Sequence, residues 1–265
     1  MGVSRHLIIS DLHENHSALR RLLKKALFFF GGLDDIWLLG DIFGHSDQAV
    51  GMSNLTEAFF EGVRYLNTYP HISVWGNWEY WLGHPEKDEI NEAQRDHKEA
   101  LIQHREFLLR KGYQSFLDEL LQHNVILAPE ESPEFTLFHG CSYSCHGNSA
   151  YQPEPWECYL HPRDINLVTR GLFSDKTHLQ TSHFLFGHTH VPGFFVYSKS
   201  SMMSMWRMFE SGMAGHPISY ANKRLRYGIN PGSAGILANG LPRTAVLLDT
   251  NEKTFTYLTD DEGID

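Results

Sequence analysis

The sequence has few cysteines, no apolar run of membrane-spanning length and no excess of positive charge. Its three cysteines, Cys141, Cys145 and Cys158, are odd in number and lie in one region, which is untypical of a disulfide framework and predicts a reduced, cytoplasmic protein. The formal net charge of −10 argues against a surface that binds extended nucleic acid. Because no apolar stretch is long enough to cross a bilayer, we expect no membrane partner.

The chain does have enough length for one large core, together with many histidines. At 265 residues it can form a single domain, alone or with a small cap. The N-terminal residues lead directly into an apolar run, so a signal peptide is not expected. The 17 histidines are the compositional indication of metal chemistry.

Apolar periodicity predicts an α/β sandwich of two mixed sheets with helices outside and a small helical cap. Strands are expected at 5–10, 36–39, 71–75, 124–128, 135–139, 183–187, 243–249 and 253–258, with β-hairpins across 193–229. Helices are expected at 18–30, where Gly31 stops the pattern, at 53–67, 86–111 and 113–122, and near 162–171. Residues 1–265 are expected to form one domain, with a helical cap-like insertion at about 81–123 and a β-hairpin insertion at about 193–229.

Five short motifs each follow a predicted strand and carry a residue type that binds metals. They are Asp11-Leu12-His13, Gly40-Asp41, Gly76-Asn77-Trp78-Glu79, His139-Gly140 and Gly187-His188-Thr189-His190. Because loops at the carboxyl ends of strands converge on a crevice in an open α/β sheet, we expect these side chains to meet. Their carboxylate, amide and imidazole groups, without a thiolate, favour Mn, Fe, Ni or Zn over Ca or Mg alone.

This series of motifs resembles the signature of calcineurin-like metallophosphoesterases, in the family's order from Asp11 to Ser233. The segments 230–233 and 242–243 resemble its small bacterial and archaeal phosphodiesterase branch, which leaves a relation to diadenosine-tetraphosphate hydrolases open. The resemblance implies two metal ions, Mn or Fe before Zn or Ni. It implies one ion held by Asp11, His13, Asp41 and His190, and a second held by Asp41, Asn77, His139 and His188, so that Asp41 bridges them. In-line attack on phosphorus by a metal-bridging hydroxide follows from two cations about 3.5–4 Å apart.

The sequence departs from the family at Trp78 and Glu14. The family has His at the position of Trp78, where it is thought to protonate the leaving oxygen, whereas an indole cannot transfer a proton near neutral pH. General acid catalysis is worth ~10²–10⁴-fold in rate, so leaving groups that need a proton should react slowly. We therefore expect cleavage of nucleotide-type phosphodiester or phosphoanhydride bonds, for example in dinucleoside polyphosphates. Glu14 stands where the branch commonly has Gly, which is interpreted as a local loop difference.

Other side chains carry alternative interpretations. His146 is the first candidate to replace the missing acid, followed by His84, His161 and His216, with a surface or packing role as the alternative for each. Trp78 either fills the space of the lost His or stacks on a nucleobase. Asn230 and Ser233 either shape a tight turn or contact phosphate. Residues 86–111 form either a solvated cap face or a substrate lid.

Two other functions remain open at this point. A family member that lost catalysis could act as a binding or scaffold protein, and a phosphomonoesterase similar to a protein phosphatase is the other alternative. In each enzymatic case the partner is a small phosphate-containing substrate, with a nucleotide favoured. The sequence does not indicate an oligomeric state, and the aromatic and Met-rich stretch at 194–209 is either a pocket wall or a subunit contact.

Overall fold

The computed structural model describes five continuous segments, with scattered positions between them at 66, 102–118 and 159–173. The segments are 5–44, 68–84, 126–140, 181–237 and 240–260. Within these residues the strands are β1 (Arg5–Ile9), β2 (Asp35–Leu38), β3 (His71–Ser73), β4 (Ile126–Leu127), β5 (Phe135–Phe138), β6 (His183–Leu185), β7 (Gly193–Ser198), β8 (Met203–Met208), β9 (Ile218–Ser219), β10 (Leu225–Asn230), β11 (Thr244–Asp249) and β12 (Thr254–Thr259). Two α-helices are described over their full length, α1 (His16–Phe30) and α2 (Asn77–Gly83), and a 3-10 turn covers Ser211–Met213. Scattered described residues at 66, within 102–118 and within 165–169 are also helical, where the sequence predicts helices.

The strands form two six-stranded mixed sheets, as the sequence predicts. The first sheet has the order β3-β2-β1-β11-β12-β9, and the second has the order β4-β5-β6-β10-β7-β8. Each sheet contains one parallel set of three strands: β1, β2 and β3 in the first, and β5, β6 and β10 in the second. The other pairings are antiparallel within the named strands, and β1 joins both kinds because β11 lies on its other side.

Strand β1 is apolar on both faces because each face is covered. Leu7 and Ile9 contribute to the apolar cluster beneath α1, whereas Ile8 packs in the cluster between the two sheets. A strand buried on both sides therefore has a continuous apolar run rather than an alternating one. This accounts for the first strand signal in the sequence.

Helix α1 covers the outer face of the first sheet and has caps at both ends. The side chain of Asn15 accepts a hydrogen bond from the backbone N–H of Ala18, and the helix ends at Gly31 with φ of 68°. Its buried residues lie on one face at helical spacing: Ala18, Leu19, Leu22, Leu23 and Ala26. The amphipathic helix and its glycine stop are thus confirmed.

Several sequence expectations differ from the structure or lie outside the described residues. The motif at 76–79, which follows the third predicted strand, begins α2, a seven-residue helix too short to give a periodic signal. The hairpins expected within 193–229 are confirmed as β7 and β8, with β10 pairing β7 on its other side. The helix expected at 53–67, and most of those at 86–111 and 113–122, lie outside the described residues. The single domain with its two insertions stays a prediction.

The Met-rich stretch at 194–209 lies at the edge of the second sheet. Met203 and Met205 are exposed there, and they line a groove of about 550 Å³ together with residues of β7 and β10. The groove therefore supports the interpretation of residues 194–209 as a pocket wall. None of the helices among the described residues is long and apolar enough to span a membrane.

Candidate metal centre

The two parallel sets of strands direct their carboxyl ends to the same place. Asp11 and His13 follow β1, Asp41 follows β2, and Asn77 follows β3, all in the first sheet. The three remaining candidate ligands come from the second sheet, with His139 after β5 and His188 and His190 after β6. The motifs therefore meet from both sheets.

The backbone at these positions is unusual. In the described residues, eight residues other than glycine have positive φ, and five of them are candidate ligands: Asp11, His13, Asp41, His188 and His190, with φ between 46° and 65°. Such conformations are costly for L-residues and persist where the surrounding structure enforces them, commonly at functional sites. The loops therefore hold these five side chains in enforced directions.

Three of the candidate ligands form what we call the first cluster: Asp11, His13 and His190. One ligand atom from each lies within 4.8 Å of the others. The Nε2 atoms of His13 and His190 are 3.3 Å apart, and Nε2 of His190 is 3.2 Å from Oδ1 of Asp11. Two imidazole nitrogens and a carboxylate oxygen thus face a common point.

A second cluster is formed by Asp41, His139 and His188, again within 4.8 Å of one another, and all three are buried. Nε2 of His139 lies 3.2 Å from Oδ2 of Asp41 and 3.2 Å from Oδ1 of Asn77, which places Asn77 at the same cluster. Nδ1 of His139 hydrogen-bonds the carbonyl oxygen of Leu39 at 2.7 Å, which directs Nε2 inward. The seven predicted ligands thus lie in two groups, with Asp41 in the second, and their role as metal ligands stays a prediction.

The two clusters are neighbours. Nε2 of His139 in the second cluster is 4.0 Å from Oδ1 of Asp11 in the first. The carbonyl oxygen of Asp41 accepts the backbone N–H of His13 at 3.0 Å, so the loops that carry the clusters are joined. Asp41 is the candidate that the sequence predicts to bridge two ions, and it lies at this junction.

The electrostatic environment of the site gives its imidazoles different pKa values. Burial lowers the pKa of His139, but the Asp41 carboxylate outweighs it and raises the pKa to about 9. Burial and the neighbouring His139 lower the pKa of His188 to about 3, so its ring is neutral at pH 7. Burial opposes ionisation of Asp11 and Asp41, but nearby histidines hold the pKa of both carboxyls below the usual range. The site therefore presents carboxylates and a neutral imidazole, which are ligand forms.

Unpartnered polar atoms test whether these residues fit a metal. Nε2 of His188 is buried and has no hydrogen-bond partner among the described residues, and the neighbours of the buried Oδ1 of Asp11 are the imidazoles of His190 and His139, at 3.2 Å and 4.0 Å. Leaving buried polar atoms unpaired costs free energy unless another group binds them. The donor set of carboxylate, amide and imidazole fits one divalent cation in each cluster.

Glu79 holds the loop of Asp41, a role that the sequence did not reveal. Its carboxylate accepts the backbone N–H groups of Asp41 at 2.8 Å, Ile42 at 2.8 Å, Phe43 at 3.1 Å and Gly76 at 2.8 Å. Burial and the nearby Asp41 charge raise the pKa of Glu79 to about 7 against these four donors. The only available signal was the capping-box spacing from Gly76 to Glu79, which describes a helix start rather than a loop clamp.

Asn230 and Ser233 hold the other loops of the site. The amide of Asn230 donates to the carbonyl oxygen of Gly187 at 3.1 Å and to Oγ1 of Thr189 at 2.9 Å. The hydroxyl of Ser233 donates to the carbonyl oxygen of Asp11 at 2.8 Å. Both side chains are buried, so the turn-shaping interpretation accounts for them.

Trp78 lies between the clusters but faces the apolar core. Its ring is 9% exposed and belongs to the cluster beneath α1. The ring edge meets His13 with centroids 6.3 Å apart, and its backbone N–H donates to Oδ1 of Asp41 at 2.9 Å. A Cβ at Gly44 would collide with the indole, so the loop closes over it. Burial on this scale favours the packing interpretation over base stacking.

Glu14 adopts φ of 63°, a conformation that favours glycine. Its carboxyl Oε1 accepts the backbone N–H of Gly44 at 3.3 Å, and burial raises its pKa to about 8. Glu14 therefore helps fix the loop that covers Trp78. This supports the interpretation of a local loop difference.

Three of the four candidates for a replacement acid, His84, His161 and His216, are described by the structure. His146 lies outside the described residues. His84 caps α2, with its ring nitrogen Nδ1 3.1 Å from the carbonyl oxygen of Tyr80, and His216 lies in an exposed loop. His161 stacks on Tyr159, whose own ring stacks on His188. Tyr159 was missed because it lies in a stretch without a strand or helix pattern.

Comparisons with known proteins agree with this arrangement. The family model of the calcineurin-like phosphoesterase superfamily domain matches residues 5–253. The chain is similar to a metallophosphoesterase from Sphaerobacter thermophilus, with a TM-score of 0.65, 23% identity, and coverage of 97% of this chain and 88% of that one. It is also similar to a hypothetical protein from Pyrococcus horikoshii OT3, with a TM-score of 0.61, 14% identity, and coverage of 97% and 87%. At these identities the similarity shows the fold alone, and no curated protein matches significantly.

Proposed function

Because the chain belongs to the calcineurin-like phosphoesterase superfamily, we propose that it is a phosphohydrolase that cleaves nucleotide-type phosphodiester or phosphoanhydride bonds. The family uses a dinuclear divalent metal centre and acts on small phosphate-containing substrates. The observation that carries the proposal is the pair of neighbouring clusters, in which Nε2 of His139 lies 4.0 Å from Oδ1 of Asp11. Two-metal hydrolases need ions about 3.5–4 Å apart.

The residues proposed to hold the ions are those of the two clusters, to which the family resemblance adds Asp41 for the first ion and Asn77 for the second. One ion is assigned to Asp11, His13, Asp41 and His190, and the other to Asp41, Asn77, His139 and His188. Mn or Fe is favoured for these ligands, with Zn or Ni as alternatives. When bound, such ions supply an activated water and neutralise charge on the phosphoryl oxygens.

The chain's own residues position this chemistry. Glu79 fixes the backbone of Asp41, and the carbonyl oxygen of Leu39 fixes the ring of His139. With every ligand except His190 buried, the site excludes most bulk water, which strengthens electrostatic interactions inside it. A phosphate can approach from the side of His190, whose side chain is 25% exposed.

The preference for the leaving group rests on Trp78. A buried indole next to Asp41 donates no proton to a departing alkoxide. A nucleotide or an activated phenol departs as a stabilised anion and needs less help. The packing of Trp78 supports no base-stacking role, so the nucleotide assignment depends on leaving-group chemistry alone.

A substrate panel ranked by leaving-group pKa tests this proposal. The purified protein with Mn²⁺ is assayed on diadenosine tetraphosphate, bis-p-nitrophenyl phosphate and alkyl phosphodiesters. We expect turnover of the first two, with a fall of ~10²-fold or more for alkyl leaving groups. No turnover of either favoured substrate would overturn the proposal, and equal rates throughout the panel would overturn the leaving-group argument.

The two alternatives differ in what they require. A binding or scaffold protein without catalysis has no need of a full ligand set, whereas all seven candidate ligands are present in this sequence. A phosphomonoesterase that acts on serine phosphate must protonate a poor leaving group. Comparable rates on aryl and alkyl monoesters would favour that enzyme over the proposed one.

A further inference from the structure

Tyr159 forms an aromatic cover over the second cluster. Its ring stacks on His188 with centroids 3.8 Å apart and an interplanar angle of 21°. The tyrosine is 48% exposed, so it lies at the mouth of the site rather than in the core. It therefore touches a candidate ligand on one side and faces solvent on another.

The neighbouring residues hold Tyr159 in place. Leu160 is fully buried in an apolar cluster with Phe184 and Phe186, which belong to β6 and the loop after it. The loop after β6 also carries His188. The residues that Leu160 packs against and the ring on which Tyr159 stacks therefore belong to the same part of the chain. His161 stacks on Tyr159 with centroids 5.5 Å apart and an angle of 11°.

The phenol lies beside the second cluster. Its ring covers one face of His188, and the ring centroid of His188 is in turn 4.7 Å from that of His139. A phenol in this setting is a hydrogen-bond donor at neutral pH.

Resting on the proposed function, we propose that Tyr159 is a catalytic residue whose hydroxyl donates a hydrogen bond to the leaving-group oxygen of the substrate. The attacking water releases one proton to solvent and its oxygen forms a bond to phosphorus, while the bond from phosphorus to the leaving oxygen breaks and its electron pair stays on that oxygen. The donor stabilises this developing charge without giving up its proton. The leaving oxygen takes its proton from solvent afterwards.

This assignment complements the position of Trp78. The residue where the family has its acid is turned into the apolar core, whereas Tyr159 reaches the clusters from the opposite sheet. A hydrogen bond stabilises a charge less than full protonation does. Tyr159 therefore reduces, but does not remove, the penalty on poor leaving groups.

Tyr159→Phe tests the proposal because it keeps the ring and its stacking on His188 but removes the hydroxyl. Aryl phosphodiesters of graded leaving-group pKa are compared in the Mn²⁺-loaded variant and the unaltered protein. We expect kcat/KM to fall about 10- to 100-fold for the poorest leaving groups and less than about threefold for p-nitrophenol, which steepens the dependence on leaving-group pKa. Tyr220→Phe is the matched control, because Tyr220 is buried between the sheets.

Binding of inorganic phosphate gives a readout other than turnover. Calorimetric titration of the Mn²⁺-loaded proteins should show about fivefold weaker phosphate binding in Tyr159→Phe, with unchanged metal content and no change in Tyr220→Phe. An unchanged leaving-group dependence with unchanged phosphate binding would overturn the role of Tyr159. An inactive unaltered protein would instead overturn the proposed function, so the two failures are distinguishable.

Discussion

The two ligand clusters have the same chemistry but different support. In the second cluster Asp41, His139 and His188 are all buried, and Glu79, the carbonyl oxygen of Leu39 and the ring of Tyr159 contact one of them each. In the first cluster His190 is partly exposed, and its nearest polar neighbours are the other two ligands. The second cluster is wholly buried, whereas the first has one member at the surface.

This difference in burial indicates that the two clusters have different roles within one site. A buried, fixed cluster binds an ion tightly and positions it, whereas a cluster with an exposed member allows exchange of ions and access for substrate. We therefore expect unequal affinities for the two ions. Four changes test whether the two metal affinities differ, beginning with the one that should affect both clusters.

Replacing Asp41 by Ala should abolish ion binding at both clusters. Asp41 is a member of the second cluster, and its backbone joins the loop of the first. We expect loss of both ions and a fall in activity of about 10³-fold or more, because several kcal/mol of charge stabilisation disappear. Metal content and turnover measure the effect, with the exposed Asp34→Asn as the control. Retention of one tightly bound ion would refute the shared role.

A change of pH should affect the metal affinities of the two clusters differently. The pKa of His139 is raised to about 9, so below that pH a proton competes with the ion for Nε2. Affinity for the second ion should fall by about tenfold for each pH unit below 9, or about 10²-fold at pH 7. Metal titrations between pH 7 and 9.5 in buffers of different ionisation enthalpy measure both affinity and proton release. A flat profile for the tighter ion would contradict the buried, protonated His139.

Glu79→Gln should weaken the second cluster selectively. An amide offers one acceptor oxygen in place of two, and its NH₂ group meets the N–H donors of the Asp41 loop. We expect a lower unfolding temperature and a loss of about 10- to 100-fold in affinity for the second ion. The first ion should change only a few-fold. Glu210→Gln, in an exposed loop, is the control, and equal losses at both ions would show that the support is shared.

Trp78→His should give the smallest change, because Trp78 touches both clusters without belonging to either. An imidazole could restore proton donation, but it leaves part of an apolar space unfilled. We expect activity on alkyl substrates to rise more than activity on anhydrides, by less than the ~10² of a well-placed general acid. Trp78→Phe controls for packing, and equal changes on both substrate classes would count against a proton-transfer deficit.

The ligand set could be predicted from the sequence because each residue follows a strand. Asp11 and His188 are 177 residues apart, yet parallel strands place the ends of their loops together, and the backbone N–H of His188 donates to Asp11. The apolar runs that indicate strands are short and local, so they can be recognised without knowledge of the tertiary fold. That information was sufficient for the sandwich and for the expectation that the five motifs meet, whereas the division of the ligands between two ions was implied by the family resemblance.

The support around the ligands could not be predicted in the same way. Glu79 acts on a loop 38 residues away, and nothing in its local pattern indicates that partner. Tyr159 lies in an irregular stretch, where no periodicity shows which side chains meet. The direction of Trp78 depends on α2, which is too short to be recognised from hydrophobic spacing.

The origin of the ligands in two different sheets has a mechanical consequence. Asp11 and His13 extend from the first sheet and His190 from the second, so an ion in the first cluster joins segments that are 177 residues apart. The second cluster repeats this link between Asp41 and the histidines of the second sheet. The proposed ions therefore act as cross-links that fasten one end of the sandwich, and a chelator should lower its unfolding temperature much as reduction of an inter-sheet disulfide does.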